Sequence, residues 1–116
     1  MSTITVSNIK ATGETASRSV SGVAAAWAQV DGDPVGLNGS FNVASATDVA
    51  TGRFDIAFTN NMSAATYAVP AETDLQAMRI EAGLITASGF RVTTEITSGT
   101  DTDATYAMFA VHGDLA

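Results

Sequence analysis

The chain has 116 residues, 5 basic and 12 acidic side chains, no cysteine and a formal net charge of −7. That length suits one domain built on one core, and a hydrophobic content of 46% argues against whole-chain disorder. Acidity argues against nucleic-acid binding, which depends on neutralising phosphates, and the lack of cysteine excludes disulfides, thiolate metal sites and cysteine catalysis.

The opening MSTITVSNIKATG has no basic stretch leading into an apolar run, so no targeting signal is expected. Residues 3–9 read as a strand, with Ile4 and Val6 on one face and Ile9 at its end. Residues 10–22 are small and polar, which predicts an extended arm or a hairpin. Residues 1–22 are therefore expected to form an arm for attachment through Ile4, Val6 and Ile9, and residues 23–116 the folded domain. The apolar stretch 23–30 is interrupted by Gln29 and is too short to span a bilayer, so no membrane insertion is expected.

Period-two patterning dominates from residue 23 onward. Leu37, Phe41 and Val43 are read as one strand face. Phe54, Ile56 and Phe58 alternate with Arg53, Asp55 and Thr59. Tyr67 and Val69 mark a short strand ended by Pro70, and residues 72–78 offer the one plausible helical turn. Met78, Ile80, Ala82 and Leu84 alternate with Arg79, Glu81 and Gly83, and Phe90, Val92 and Ile96 alternate with Arg91, Thr93 and Glu95. Residues 105–112 are apolar on both faces, which predicts a central or doubly covered strand. Turn-forming residues separate these runs, as at Asp31-Gly32-Asp33-Pro34, Asn60-Asn61 and Ser98-Gly99-Thr100-Asp101. The expected fold is all-β: an antiparallel, jelly-roll-like β-sandwich of about eight short strands with an N-terminal arm.

Signals for chemistry are weak. The one histidine, His112, shares a face with Tyr106, Met108 and Ala110, and reads as a packed or interface residue; there is no Gly-x-Ser-x-Gly elbow to pair with it. Asp31/Asp33 and Asp101/Asp103 sit in turns. Such pairs bind calcium when other oxygens converge, but no EF-hand spacing follows, and solvated turn aspartates are the preferred reading. Phosphate-binding glycine motifs are absent. Trp27, the single tryptophan, lies among alanines and reads as a core anchor or the centre of a subunit contact. No cofactor is expected. A charged content of only 15% predicts that another subunit covers part of the surface.

The run from Gly22 to Val69 contains Ala26-Trp27, the Asp31-Gly32 turn, Ser-Phe-Asn-Val-Ala-Ser at 40–45, Thr-Asp-x-x-Thr-Gly at 47–52, an aromatic strand ending Phe58-Thr59, and Met-x-x-Ala-x-Tyr-Ala-Val at 62–69. In order and spacing it resembles a module of bacteriophage virion proteins, often found at the C-terminal end of tail fibres. Residues 106–113 resemble that module's closing strand, and TITVSNIKATGE is similar to the N-terminal segments of other phage particle proteins. The resemblance implies a β-sandwich, usually trimeric and displayed on the particle surface. Its motif encodes a fold, so it implies no catalytic residues.

The expected function is thus a non-enzymatic virion structural protein, made in the host cytoplasm and assembled as a homotrimer with capsid or tail proteins. Without a shaft or heptads it reads first as a small fibre or spike tip that binds a host receptor, and second as a capsid decoration protein. Trp27, Tyr106, Met108 and His112 are the expected trimer or core contacts. Loops carrying Asp31, Asp33, Asn60, Asn61, Asp101 and Asp103 are expected to face outward. A carbohydrate-binding module is the rival from another class; it predicts a monomer with an exposed aromatic platform.

Overall fold

Apolar alternation resolves into two packed sheets in the computed structural model, which describes residues 1–10, 12–16, 18–19 and 23–116. Strands β1 (Asn8–Ile9) and β2 (Arg18–Ser19) form a small hairpin. The first large sheet has the order β4-β3-β10-β7, from Val35–Phe41, Ala24–Gly32, Ala107–His112 and Ala71–Thr73. The second has the order β5-β6-β9-β8, from Val43–Ala50, Arg53–Phe58, Gly89–Glu95 and Ala77–Ile80. Every strand pairing is antiparallel. The chain is an all-β sandwich, as its alternation predicts.

The two inner faces differ in size. The second sheet supplies Phe54, Ile56, Phe58, Phe90 and Val92; the first supplies Ala26, Ala28, Val30, Ala107 and Val111, with Phe109 its one buried ring. Small side chains opposite large ones let the layers interdigitate at the density of a protein interior. Phe90 stands at the centre, with ring centroids 5.1 Å from Phe109 and 5.9 Å from Phe58.

This division corrects the reading of Trp27 as a core anchor. The inward positions around it in β3 hold Ala26, Ala28 and Val30, so Trp27 points outward and is 47% exposed. Leu37, Phe41 and Val43 do not share a face. Gln29 pairs with Gly39 and Val30 with Leu37, so Asn38 is an extra residue that reverses the parity within β4. Leu37 packs against the core and Phe41 is 55% exposed, while Val43 is buried in the other sheet.

Asn42 makes that change of sheet. Its φ is 56°, a left-handed conformation that Asn tolerates better than most residues. Its Nδ2 donates to the carbonyls of Ala25 (3.1 Å) and Asn60 (3.0 Å), and its Oδ1 accepts from the Asn60 amide (2.7 Å). At the other edge, residues 74–76 link β7 to β8 across the sheets, so the helical turn expected at 72–78 is replaced by two strands and a bend.

Three further expectations change. Residues 82–84 form a 3₁₀ turn and Leu84 is exposed, so the alternation from Met78 ends as strand at Ile80. Ile96 lies past the end of β9 and is exposed, whereas Thr93 and Thr94 are buried. Thr93 Oγ1 donates to Glu81 Oε1 (2.7 Å), and Thr94 Oγ1 donates to the Thr102 carbonyl (2.6 Å), which satisfies both hydroxyls. Strand β10 is central, between β3 and β7, but is covered on one face only.

In the arm, the strand expected at 3–9 is reduced to Asn8–Ile9, and residues 1–10 are all exposed. The division drawn at residue 22 lies outside the described residues.

Candidate interaction surface

The outer face of the first sheet carries Trp27 and Met108, two of the four contact residues expected from sequence. Register places Trp27 between Phe41 on β4 and Ala110 on β10, a continuous apolar row across three strands. The next row runs Gly39, Gln29, Met108 and Glu72. Gln29 Nε2 lies 4.0 Å from Met108 Sδ, which ties the two side chains together on this face. A Cβ on Gly39 would sit 3.6 Å from Cζ3 of Trp27, so the indole lies over that glycine. Pro70, Ala71, Glu72, Met108, Phe109 and Ala110 line an open cleft of about 360 Å³ between β7 and β10.

Tyr106 and His112 flank this face. Tyr106 is half-buried just before β10, and its backbone is fixed by Asp74, whose Oδ1 accepts from the Tyr106 amide and Oδ2 from the Thr105 amide, both at 3.2 Å. Desolvation pushes the Asp74 carboxyl up, but the donors at Tyr106 and Thr105 more than offset it and hold the group below its ordinary value. His112 is exposed, and its backbone exchanges two hydrogen bonds with Ala68. Phe41, the cross-strand neighbour of Trp27, belongs to this face although alternation places it with Leu37. Its side follows from the Asn38 bulge, and bulges leave no periodic signal.

The outer face of the second sheet is of another kind. Arg91 and Asp55 form a two-bond ion pair, with Nε–Oδ1 at 2.7 Å and Nη2–Oδ2 at 3.0 Å. The Arg91 hydrogen bond holds the Asp55 carboxyl below its ordinary value against the opposing effect of desolvation. Arg79 pairs with Glu95 at 2.8 Å and Arg53 with Asp101 at 2.7 Å. A cleft of about 210 Å³ lies beside Asp55, Leu84, Thr86, Ser88 and Arg91. Its arginine is committed to Asp55, and Thr86 Oγ1 and Ser88 Oγ lie 3.1 Å apart, hydrogen-bonded to one another. This face is charged but internally neutralised.

The predicted loop residues divide between the two ends of the sandwich. Asn60 and Asn61 lie at the Asn42 end; the Asn60 amide is held by Asn42 and the Asn61 carbonyl accepts from Ala116. Asp31, Asp33, Asp101 and Asp103 lie at the other end, where a Cβ on Gly32 would collide with the Ala104 carbonyl. Most of these carboxylates have structural partners: Asp31 Oδ1 accepts from the Asp33 amide (3.1 Å), Asp101 binds Arg53, and Asp103 Oδ1 accepts from the Gly52 amide (2.6 Å). Among the described residues no group of three or more His, Asp or Glu side chains is placed to hold a metal ion. No helix among them is long and apolar enough to cross a membrane.

Comparison with protein-family models, with curated proteins and with solved structures finds no match to this chain.

Proposed function

We propose that this chain is a non-enzymatic virion structural protein of a bacteriophage that works as a self-associating, homotrimeric module on the particle surface. The observation that carries the reading is the inequality of the two outer faces. One is laced with ion pairs and suits water; the other presents Trp27, Phe41, Met108 and Ala110 side by side. A contiguous apolar sheet face on a soluble chain marks a place that something covers, and aromatic residues with methionine are the types enriched at subunit contacts. The motif order from Gly22 to Val69 supplies the virion context by resemblance. A fibre or spike tip is the first placement, with the Asp31/Asp101 end as a receptor-facing surface, and capsid decoration the second. Incubating the purified chain with phage particles that lack it, then pelleting them, tests this placement. Binding to heads alone favours decoration, binding to tails favours the fibre, and binding to neither rejects the virion reading.

The exposed Trp27–Phe41 pair also favours one reading of another class. Two aromatic residues at cross-strand positions of an exposed sheet face can stack sugar rings, which is what a carbohydrate-binding module requires. A glycan array read by Trp27 fluorescence separates the two. Saturable quenching of a monomer would replace self-association by glycan binding.

A further inference from the structure

We propose that the outer face of the first sheet is the seat for residues 3–10 of a second copy of this chain, so that each arm lies across the Trp27 face of its neighbour. The inference rests on the self-association part of the reading above and not on the particle.

The face and the arm match in charge. Strands β3, β4, β7 and β10 contain the acids Asp31 and Glu72 and no lysine or arginine. The three arginines of the sandwich lie on the other sheet, each paired: Arg53 with Asp101, Arg79 with Glu95 and Arg91 with Asp55. Residues 1–22 hold two basic residues against one acid, whereas residues 23–116 hold three against eleven. The arm thus has a positive balance where the sandwich as a whole is acidic, and the Trp27 face is an acidic-rimmed apolar surface whose strands carry no lysine or arginine. Complementary potentials of this kind set orientation and suppress wrong pairings.

They match in apolar surface as well. Ile4, Val6 and Ile9 are 86%, 47% and 51% exposed, and an arm drawn out as a strand along a neighbour would present Ile4 and Val6 on one side. Trp27 and Phe41, at 47% and 55%, are the large apolar side chains left open on the face. The chain's own arm does not cover them, since both rings and all of residues 1–10 remain exposed. Arm and face are different patches of the same chain, so copies can close either by reciprocal exchange of arms in a two-fold dimer or head-to-tail in a ring, and the trimer proposed above requires the ring. A ring of three would be a homotrimer.

Trp27 is the single tryptophan, so its emission reports directly on this face. The experiment uses the full chain and compares it with the double variant Ile4→Asp, Val6→Asp, both sites being exposed and outside the sandwich core. Mass by light scattering and Trp27 emission are recorded over a dilution series. The expected result is an assembled parent with blue-shifted emission, and a variant whose assembly is weakened about tenfold or more, with emission shifted to the red. An assembled parent and a variant unchanged in mass and emission would overturn the arm contact while leaving self-association standing. A shift in emission without a change in mass would overturn the second copy as occupant, because the arm would then lie on its own chain. A parent that stays monomeric at every concentration would overturn both.

Discussion

Asn42 carries more of the architecture than its place in the sequence suggests. It turns the chain from one sheet to the other at φ 56° while its side chain makes three hydrogen bonds, to Ala25 and Asn60. Asn42→Ala removes those bonds and puts a Cβ without compensation in the left-handed region, for an expected loss of about 2–4 kcal/mol. Asn42→Gly keeps the backbone and loses the bonds, so urea denaturation should rank it between the parent and the Ala variant. Tyr67 is the second residue to test. Its hydroxyl donates to the carbonyls of Thr86 (2.9 Å) and Gly89 (3.0 Å), and burial pushes the phenol from its ordinary 10.0 up to about 12. A group that must stay protonated in the fold contributes stability that is complete below pH 10 and is lost as pH rises toward about 12. Alkaline denaturation curves should show that loss, and Tyr67→Phe should flatten it while costing about 1–3 kcal/mol at neutral pH. Trp27 calls for a third test, because its position separates folding from assembly. Trp27→Ala should change monomer stability by no more than about 1 kcal/mol, since an exposed ring lacks the burial that makes core truncations costly. A strongly destabilised monomer, read by denaturant titration, would show that the indole packs as core.

Among the elements, β6 and β9 depend on close approach. Gly89 pairs with Ala57, and a Cβ there would collide with the Ile56 carbonyl oxygen. Gly89→Ala should therefore cost about 3 kcal/mol or more, whereas Gly83→Ala, with nothing near its Cβ, should stay within about 0.5 kcal/mol of the parent. Equal thermal shifts for the two variants would contradict this packing. The same strands show what could be read from sequence. Phe54, Ile56 and Phe58 alternate because β6 is half-buried, and that rule needs no partner strand. Leu37 and Phe41 could not be placed that way, because a one-residue bulge opposite Gln29 and Val30 reverses parity without a trace in composition. The edge strand β7 was equally obscure, whereas β8 shows in the alternation from Met78, which runs on past the strand's end at Ile80. The three residues of β7 leave too few positions to display a period. The residue type of Trp27 says nothing of its side, which follows from the alanines that occupy the inward positions of β3.

For the molecule as a whole, the sandwich divides its labour between two outer surfaces. Ion pairs occupy one, and an apolar row with an acidic rim occupies the other. Net acidity keeps separate copies apart in solution, so the proposed association needs a surface where like charges are few, and the Trp27 face is such a surface. In the proposed contact the weakly basic arm would add a local attraction that the sandwich alone lacks. Salt should accordingly weaken the arm contact but leave the apolar contribution in place. The most direct measurement is the mass of the full chain in solution, by light scattering after size exclusion at micromolar concentration. The result expected here is a species of three times the 11.8 kDa chain mass. A single-chain mass that persists as concentration is raised would contradict self-association through this face.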